Sequence, residues 1–435
     1  MSKRQHQHQP LIRITAVTAL ILSTLIYCGC VYPDYDGDVD KLEEQQSVWQ
    51  YLQVYSIFHN RLPKTAGSMT PYDMFRAIND SLGGGRYTEY IDDRPGGGVM
   101  FDPNTKFDDP IEFTPSTVYI RIPEFSDTAL WVFNRSLRML SKYPNIIIDV
   151  RSNGGGLLNV TDAILGELLP NNTPYINYSY RKYNSSKLKG EDAKEVSRTT
   201  TNPTLRNKKI AVLMNHWSAS ASEILAAGLK DAAGAYLIGD SSYGKGIGQI
   251  IITRGGGRKR ISITFLEISG LTERTGRYHK RGIWPDPVPK EIKSYVDTHI
   301  PSANQRMLIQ IIVEGAIEDI LKKNPDADES YLQEYREELT EEYEKWFREP
   351  YYAVKQLEQG FAFPDDGGDG EEGEDADDNN GGGKMSKQRI AAAIENAKGI
   401  DKIAMRIHSA KTTWRPMGAV IIDEKDLPEI QLSDD

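Results

Sequence analysis

Residues Gly239 to Gln249 read "GDSSYGKGIGQ", and the lysine in this turn could hold phosphates, act as a base, or do nothing chemical. A phosphate-binding loop has the form G-x-x-x-x-G-K-[ST], in which backbone N–H groups cradle the phosphates and the final hydroxyl holds Mg²⁺. Gly239, Gly244 and Lys245 fit that spacing, but Gly246 stands where the hydroxyl is needed. The next residues, "IGQIIITR", are β-branched and lack helical periodicity. They read as a strand, whereas a phosphate loop must open into a helix N-terminus. The apolar strand ending at Asp149 only imitates a second magnesium-binding element. Nucleotide binding is therefore set aside.

A lysine acting as a base needs a nucleophile to serve. The segment "SASASEILAAGLKDAA" supplies Ser218, Ser220 and Ser222 at a strand-to-helix junction. The first N–H groups of a helix lack intrahelical partners and carry positive partial charge, so such a junction can receive a developing oxyanion. Serine needs a base, usually histidine. Of the seven histidines, His216 and His279 are nearest, and neither lies in a comparable glycine-rich turn. A free lysine titrates near about 10.4 and works as a base only where burial disfavours the ammonium. Lys245, between two glycines and beside apolar strands, meets that condition. The competing structural reading is that Ser220-x-x-Glu223 is a capping box. The residues themselves do not choose among the three serines.

These groups must be positioned by the elements around them. "TVYIRIPEFS", "NIIIDV", "KIAVLMN" and "YLIGD" read as strands, and "TALWVFNRSLRMLSKY", "VTDAILGELL" and the serine-rich segment as helices. Alternation of this kind predicts a largely parallel sheet with helical cover, with ligand sites at the carboxyl ends of its strands. Residues 171–207 read as a polar insertion. Lys41 to about Leu82 reads as helical, and the punctuation up to residue 116 as loops. Beyond "GIWPDPVP" the chain turns helical and highly charged over residues 296–363, where acid and base fall at helical spacings. Residues 364–384 form an acidic Gly/Asp/Glu linker, and 385–435 a final segment with a helix and a strand near "MGAVII".

With 435 residues and a net charge of −10, the chain has room for several domains and a charge that argues against nucleic acid as a partner. Its start has a basic head, an apolar stretch from Ile14 to Tyr27, and the chain's two cysteines, Cys28 and Cys30. This is the pattern of an export signal over residues 1–29. No disulfide framework is available to the body. The cysteine after Gly29 resembles the lipobox of bacterial lipoproteins, which implies lipidation at Cys30, a membrane-anchored location in the cell envelope, and a tether over residues 30–40. The alternating aspartates of "DYDGDVD" lack the glycine position and closing glutamate of a calcium loop.

The blocks "NIIIDVRSNGGG", "NHWSASASEILAAGLKDAAGAYLIGDSSYGKGIGQ" and "RGIWPDP" resemble the tail-specific, or carboxyl-terminal processing, serine proteases, over Thr117 to Pro289. The resemblance implies a crotonase/Clp-protease-like α/β core over residues 117–295. It implies that Ser220 is the nucleophile, Lys245 the general base and Gln249 the residue that positions the lysine. It further implies that Gly156 and Ala221 supply the oxyanion N–H groups and that Asp231 supports the site. The substrates would be polypeptides, with neither metal nor organic cofactor required. Typical members carry a peptide-binding PDZ domain before the core, and Thr88 to Ser116 is too short for one. The rival expectation is a non-catalytic lipoprotein that keeps the protease fold as a peptide-binding module.

Overall fold

In the computed structural model the described residues are 41–62, 69–80, 89–91, 105–254, 259–358 and 419–423, with Lys64, Thr65, Gly67 and Leu427 besides. The export signal, Cys30, the tether and the acidic linker lie outside them.

The chain opens with α1 (Lys41–Tyr55), α2 (Pro71–Asp80) and β1 (Glu89–Ile91). Then β2 (Ile111–Thr114), β3 (Thr117–Arg121), α3 (Asp127–Leu140), β4 (Asn145–Asp149) and α4 (Leu158–Leu168) follow. The hairpin β5 (Pro174–Asn184) and β6 (Lys189–Arg198) precedes β7 (Lys209–Met214), α5 (Ala221–Ala233) and β8 (Tyr236–Gly239). Next come β9 (Ile247–Arg254), β10 (Lys259–Ser269), α6 (Lys290–His299), α7 (Ala303–Lys323), α8 (Glu329–Leu357) and β11 (Ala419–Asp423).

Five strands form one sheet in the order β2-β3-β4-β7-β8, parallel except for the β2–β3 pair. This is the largely parallel α/β sheet that the alternation of elements predicts. Its three central strands, β3, β4 and β7, are buried on both faces, and so they are largely apolar runs. Val118, Ile120, Ile146, Ile148 and Val212 face the main core beside Ile164, Leu225 and Phe133. Tyr119, Ile147, Leu213 and Ile238, on the alternate side, pack against Val296, Leu308, Trp346 and Val354. The charged C-terminal helices are thus the sheet's second cover. Their apolar stripes are buried while most of their acid and base residues are exposed or half-buried, Glu349 being the buried exception.

A second sheet stands beside it. Its order is β11-β9-β10-β5-β6, with β1 on β10, and all pairs are antiparallel except β11–β9. The polar stretch read as an insertion over 171–207 is the β5–β6 hairpin of this sheet. Its register runs from Pro174↔Arg198 to Asn184↔Lys189. In β6, "KGEDAKEVSR", Ser197 is buried and most other residues are exposed or half-buried. A sheet-edge strand with little buried face lacks the apolar alternation that identifies strands. The segment "IGQIIITR", by contrast, is a strand in the structure as its composition predicts.

Helix α8 contains Pro350, which has no N–H to donate to the carbonyl of Trp346 four residues earlier. Arg151 fills the gap, donating from Nη1 to that carbonyl at 2.8 Å. The indole itself is buried, edge-on to Tyr343 at 5.4 Å between centroids. Trp346→Ala is expected to cost about 3–5 kcal/mol of stability in urea unfolding, because the cavity would open between α8 and the sheet. A loss under about 1 kcal/mol would show that α8 is not part of the cooperative core.

Candidate active site

Strand β7 ends at Met214, and the chain enters α5 through a turn built on two asparagines. Asn215 Oδ1 accepts the N–H of Trp217 at 3.1 Å and, from the loop after β4, the N–H of Ser152 at 2.9 Å. Asn153 binds in the reverse direction. Its carbonyl accepts the N–H of Ala219 at 3.0 Å and the hydroxyl of Ser222 at 2.8 Å, and its side chain spans Ile122 O and Gly155 N–H. The loop after β4 and the start of α5 are therefore one hydrogen-bonded unit at the carboxyl ends of adjacent parallel strands.

Within that unit the three serines differ. Ser218 Oγ donates to Val150 O at 2.8 Å and accepts from Asn215 N–H at 3.0 Å, and Ser222 Oγ is engaged with Asn153. Both hold the turn together. Ser220 is equally buried, yet its Oγ has no hydrogen-bond partner among the described residues. Its backbone sits at φ 56°, ψ −110°, a sparsely populated conformation that costs about 1–3 kcal/mol for a residue other than glycine. The turn that carries it thus holds strain at one residue, whose hydroxyl is uncommitted.

The capping box in the sequence has an unexpected centre. Glu223, fully buried, accepts the Ser220 N–H on Oε2 at 2.7 Å. The same oxygen accepts the N–H of Lys245 at 2.8 Å, so the two backbone nitrogens lie within the sum of those distances of each other. Oε1 accepts the N–H of Gly244 at 2.7 Å and the hydroxyl of Ser242 at 2.6 Å. One carboxylate thus spans the serine turn and the Gly-Lys-Gly turn. Burial pushes the Glu223 carboxyl up, to about 7, against the pull of these four donors.

Lys245 is only 2 % exposed. Burial lowers its ammonium to about 8, and the charge of Glu223 opposes that shift. Its Nζ donates to Gln249 Oε1 at 3.0 Å, on the first turn of β9 away. Gly244, at φ +87°, and Gly246 let the segment 278–282 lie directly on the turn. A β-carbon at Gly246 would sit 3.0 Å from both His279 N and Ile268 O.

Ala221 and Gly156 are the two residues read as oxyanion donors. Ala221 is the first residue of α5, where an N–H has no intrahelical acceptor. Gly156 forms an isolated bridge with Phe125 whose two bonds use the N–H of Phe125 and of Leu157, leaving the Gly156 N–H outside them. At φ +146°, a β-carbon on Gly156 would fall 2.3 Å from Phe125 O, so only glycine fits.

Residues 116–288 match the model of peptidase family S41. The matched stretch runs from β3 through β10 and contains both the serine turn and the lysine turn. It is 35% identical over 175 residues to the carboxy-terminal processing protease CtpB of Bacillus subtilis, covering 39% of this chain and 33% of that protein. It is 29% identical over 205 residues to the carboxyl-terminal-processing protease of Synechocystis, covering 46% and 45%. Among solved structures it resembles the photosystem II D1 C-terminal processing protease, at 19% identity and a TM-score of 0.33 over 48% of this chain and 51% of that one. The chain spans less than half the length of the Bacillus subtilis and Synechocystis proteases.

The other quoted motifs of the matched region support the serine and lysine turns. Asp231, on α5, accepts Leu271 N–H at 2.7 Å and Thr272 Oγ1 at 2.9 Å, and Thr275 Oγ1 bonds to it as well. It pins the turn after β10 and stands away from the serine, whose own contacts do not include it. In "RGIWPDP", Ile283 N–H donates to Ser242 Oγ at 2.7 Å, and Asp286 pairs with Lys230 and Arg274 at 2.8 and 2.7 Å. This segment backs the lysine turn. In "DVRSNGGG", Arg151 is gripped by Asp149 through Nε and Nη2 and reaches Glu349 Oε2 at 2.9 Å. Among the described residues no cluster of His, Cys, Asp and Glu is arranged to hold a metal ion.

Three residues that the sequence reading passed over complete the site: Asn153, Asn215 and Glu223. Only Glu223 had a signal, as a capping partner. The serines give a direct test of the geometry. Ser218→Ala is expected to cost about 1–3 kcal/mol, since it strands buried partners. Ser220→Ala should change stability by less than about 0.5 kcal/mol. Urea denaturation of the two variants checks the contrast, and equal effects would contradict it.

Proposed function

We propose that this chain is a serine endopeptidase that hydrolyses peptide bonds of envelope or extracellular polypeptides with Ser220 as nucleophile and Lys245 as base. The observation that carries this reading is the uncommitted, buried Ser220 hydroxyl at a helix start, tied through one carboxylate to the turn of a buried lysine.

The steps follow from the atoms available. Neutral Lys245 Nζ takes the proton from Ser220 Oγ as Oγ bonds to the substrate carbonyl carbon. The carbonyl oxygen becomes an oxyanion facing the N–H groups of Ala221 and Gly156, which are already oriented and so need no reorganisation. Collapse breaks the C–N bond, and the amine leaves with the proton held by Lys245. A water then gives its proton to Lys245 and its oxygen to the acyl carbon; the adduct collapses by breaking the bond to Oγ, Lys245 returns that proton to Oγ, and the acid is released. Gln249 Oε1 accepts from Nζ throughout and keeps its lone pair from turning away. No step calls for a metal or an organic cofactor.

The basic head, apolar stretch and Cys30 support an envelope lipoprotein. No helix among the described residues is long and apolar enough to cross a membrane. Incorporation of labelled palmitate that disappears in Cys30→Ala checks the anchor, and persistence in that variant would refute it.

Acylation of Ser220 by a fluorophosphonate tests the dyad. The base is the unprotonated amine, so the rate should fall as pH drops through about 8, where the lowered Lys245 titrates. It should fall by about 10²–10⁴ in Lys245→Ala. A flat pH profile would sink the dyad. Peptide binding without turnover in the wild type at any pH would instead favour the binding module.

A further inference from the structure

We propose that Glu223 is a positioning residue for the dyad: by accepting the N–H groups of Ser220, Gly244 and Lys245 and the Ser242 hydroxyl, it fixes the nucleophile's turn against the base's turn. The inference rests on the Ser220/Lys245 reading and adds to it a part that neither residue can play.

The geometry separates this role from ordinary capping. A capping glutamate needs a single bond, back to the N-cap N–H. Glu223 makes that bond at 2.7 Å and three more, all to residues 242–245 on a different segment of chain. A carboxylate accepts through both oxygens at about four lone-pair sites, and all four are occupied here. Three of the donors are backbone N–H groups, which cannot reverse their polarity. A glutamine at this position would turn an NH₂ towards at least one of them, and an aspartate would fall one methylene short.

The bond to Ser220 N–H also acts on the strain. A residue at φ 56° persists only where its surroundings over-determine it. Glu223 holds the Ser220 N–H from one side, while Ser218, Ser222 and Asn153 fix the residues around it. Its grip on Lys245 is through the peptide N–H, and the amine is left to Gln249. Glu223 therefore places the lysine's backbone without claiming the proton acceptor.

Other charged or titratable groups around Lys245 are His279 and Lys280, on the segment lying over the turn, Glu267 on β10, and Tyr278, whose hydroxyl feels the charge of Glu223. His279 is held below its ordinary value by burial and its cationic neighbours, so it titrates well below the lysine. Of these groups Glu223 is the one whose charge opposes the lowering of Lys245.

The experiment is the rate of fluorophosphonate acylation of Ser220 against pH in the full chain, for the wild type, Lys245→Ala, Glu223→Gln and Glu223→Asp, with thermal unfolding of each. Glu223→Gln should lower the plateau rate at least tenfold. It should also move the acidic limb to lower pH, because the charge that favours the ammonium is gone. Glu223→Asp keeps the charge and loses the reach, so its plateau should drop with the limb near the wild-type position. It carries the test alone if the glutamine variant does not fold. Wild-type plateau and limb in either folded variant, with only the melting temperature lowered, would reduce Glu223 to a structural cap and overturn the proposal. A wild type that is not labelled, or whose labelling survives Lys245→Ala, overturns the dyad and this proposal with it. Labelling lost in Lys245→Ala but intact in folded Glu223 variants overturns the Glu223 role alone.

Discussion

The guanidinium of Arg151 is the interaction on which the rest of the structure depends. It is 2 % exposed, and taking such an ion out of water costs several kcal/mol unless every N–H finds an acceptor. Asp149, at the end of β4, supplies both carboxylate oxygens, Glu349 supplies one, and the Trp346 carbonyl freed by Pro350 supplies another. Burial by itself would push the Asp149 carboxyl up, but Arg151, helped by the Tyr119 hydroxyl at 2.5 Å, draws it below the usual carboxylate range. Burial pushes Glu349 up, to about 7, with Arg151 pulling against it. Of the two carboxyls, Asp149 is the firm anion, and Glu349 is the partner most easily neutralised. The C-terminal helices are in this way bonded to the residue that begins the glycine turn after β4.

Two layers of constraint follow. Arg151 fixes where the loop after β4 starts, and Asn153 and Asn215 then bind that loop to the serine turn through Ser152, Ala219 and Ser222. The loop after β4 is thus held against the start of α5 by one backbone bond and by the buried side chains of Asn215 and Ser222. A site of this kind tolerates very little: Phe125 O stands where any side chain on Gly156 would begin. Preorganised donors are effective because nothing has to move as charge develops.

Much of this was legible in the residues, and the parts that were not share a physical cause. Strands β4 and β7 are buried on both faces, so their composition alone declares them. The turn at Ser220 and the strand after Lys245 also follow from local pattern. The β5–β6 hairpin does not, since an edge strand such as "KGEDAKEVSR" has little buried face and pairs with β5, which is itself held by β10, 86 to 92 residues further on. Glu223 is visible as a cap and invisible as a bridge, because three of its donors lie about twenty residues away. The partnership of Arg151 with Glu349 spans 198 residues and has no local signature at all. A single sequence reports what neighbours dictate, and long-range polar contacts are what it leaves out.

The placement of a buried carboxylate beside a buried lysine would ordinarily favour an ion pair, with the ammonium retained and the base lost. The structure resolves that conflict by what Glu223 touches. Its four acceptor sites are filled by three peptide N–H groups and a hydroxyl, so its charge is already met by fixed dipoles, and its bond to Lys245 is to the backbone. Gln249, a neutral acceptor, faces Nζ instead. A glutamate or aspartate at that position would hold the proton on the amine, whereas an amide oxygen orients the lone pair without adding charge. Burial then prevails, and the lysine falls to about 8 while the carboxylate remains close enough to keep it from falling further. The proposed base role requires an amine in this range, where a useful unprotonated fraction combines with real proton affinity.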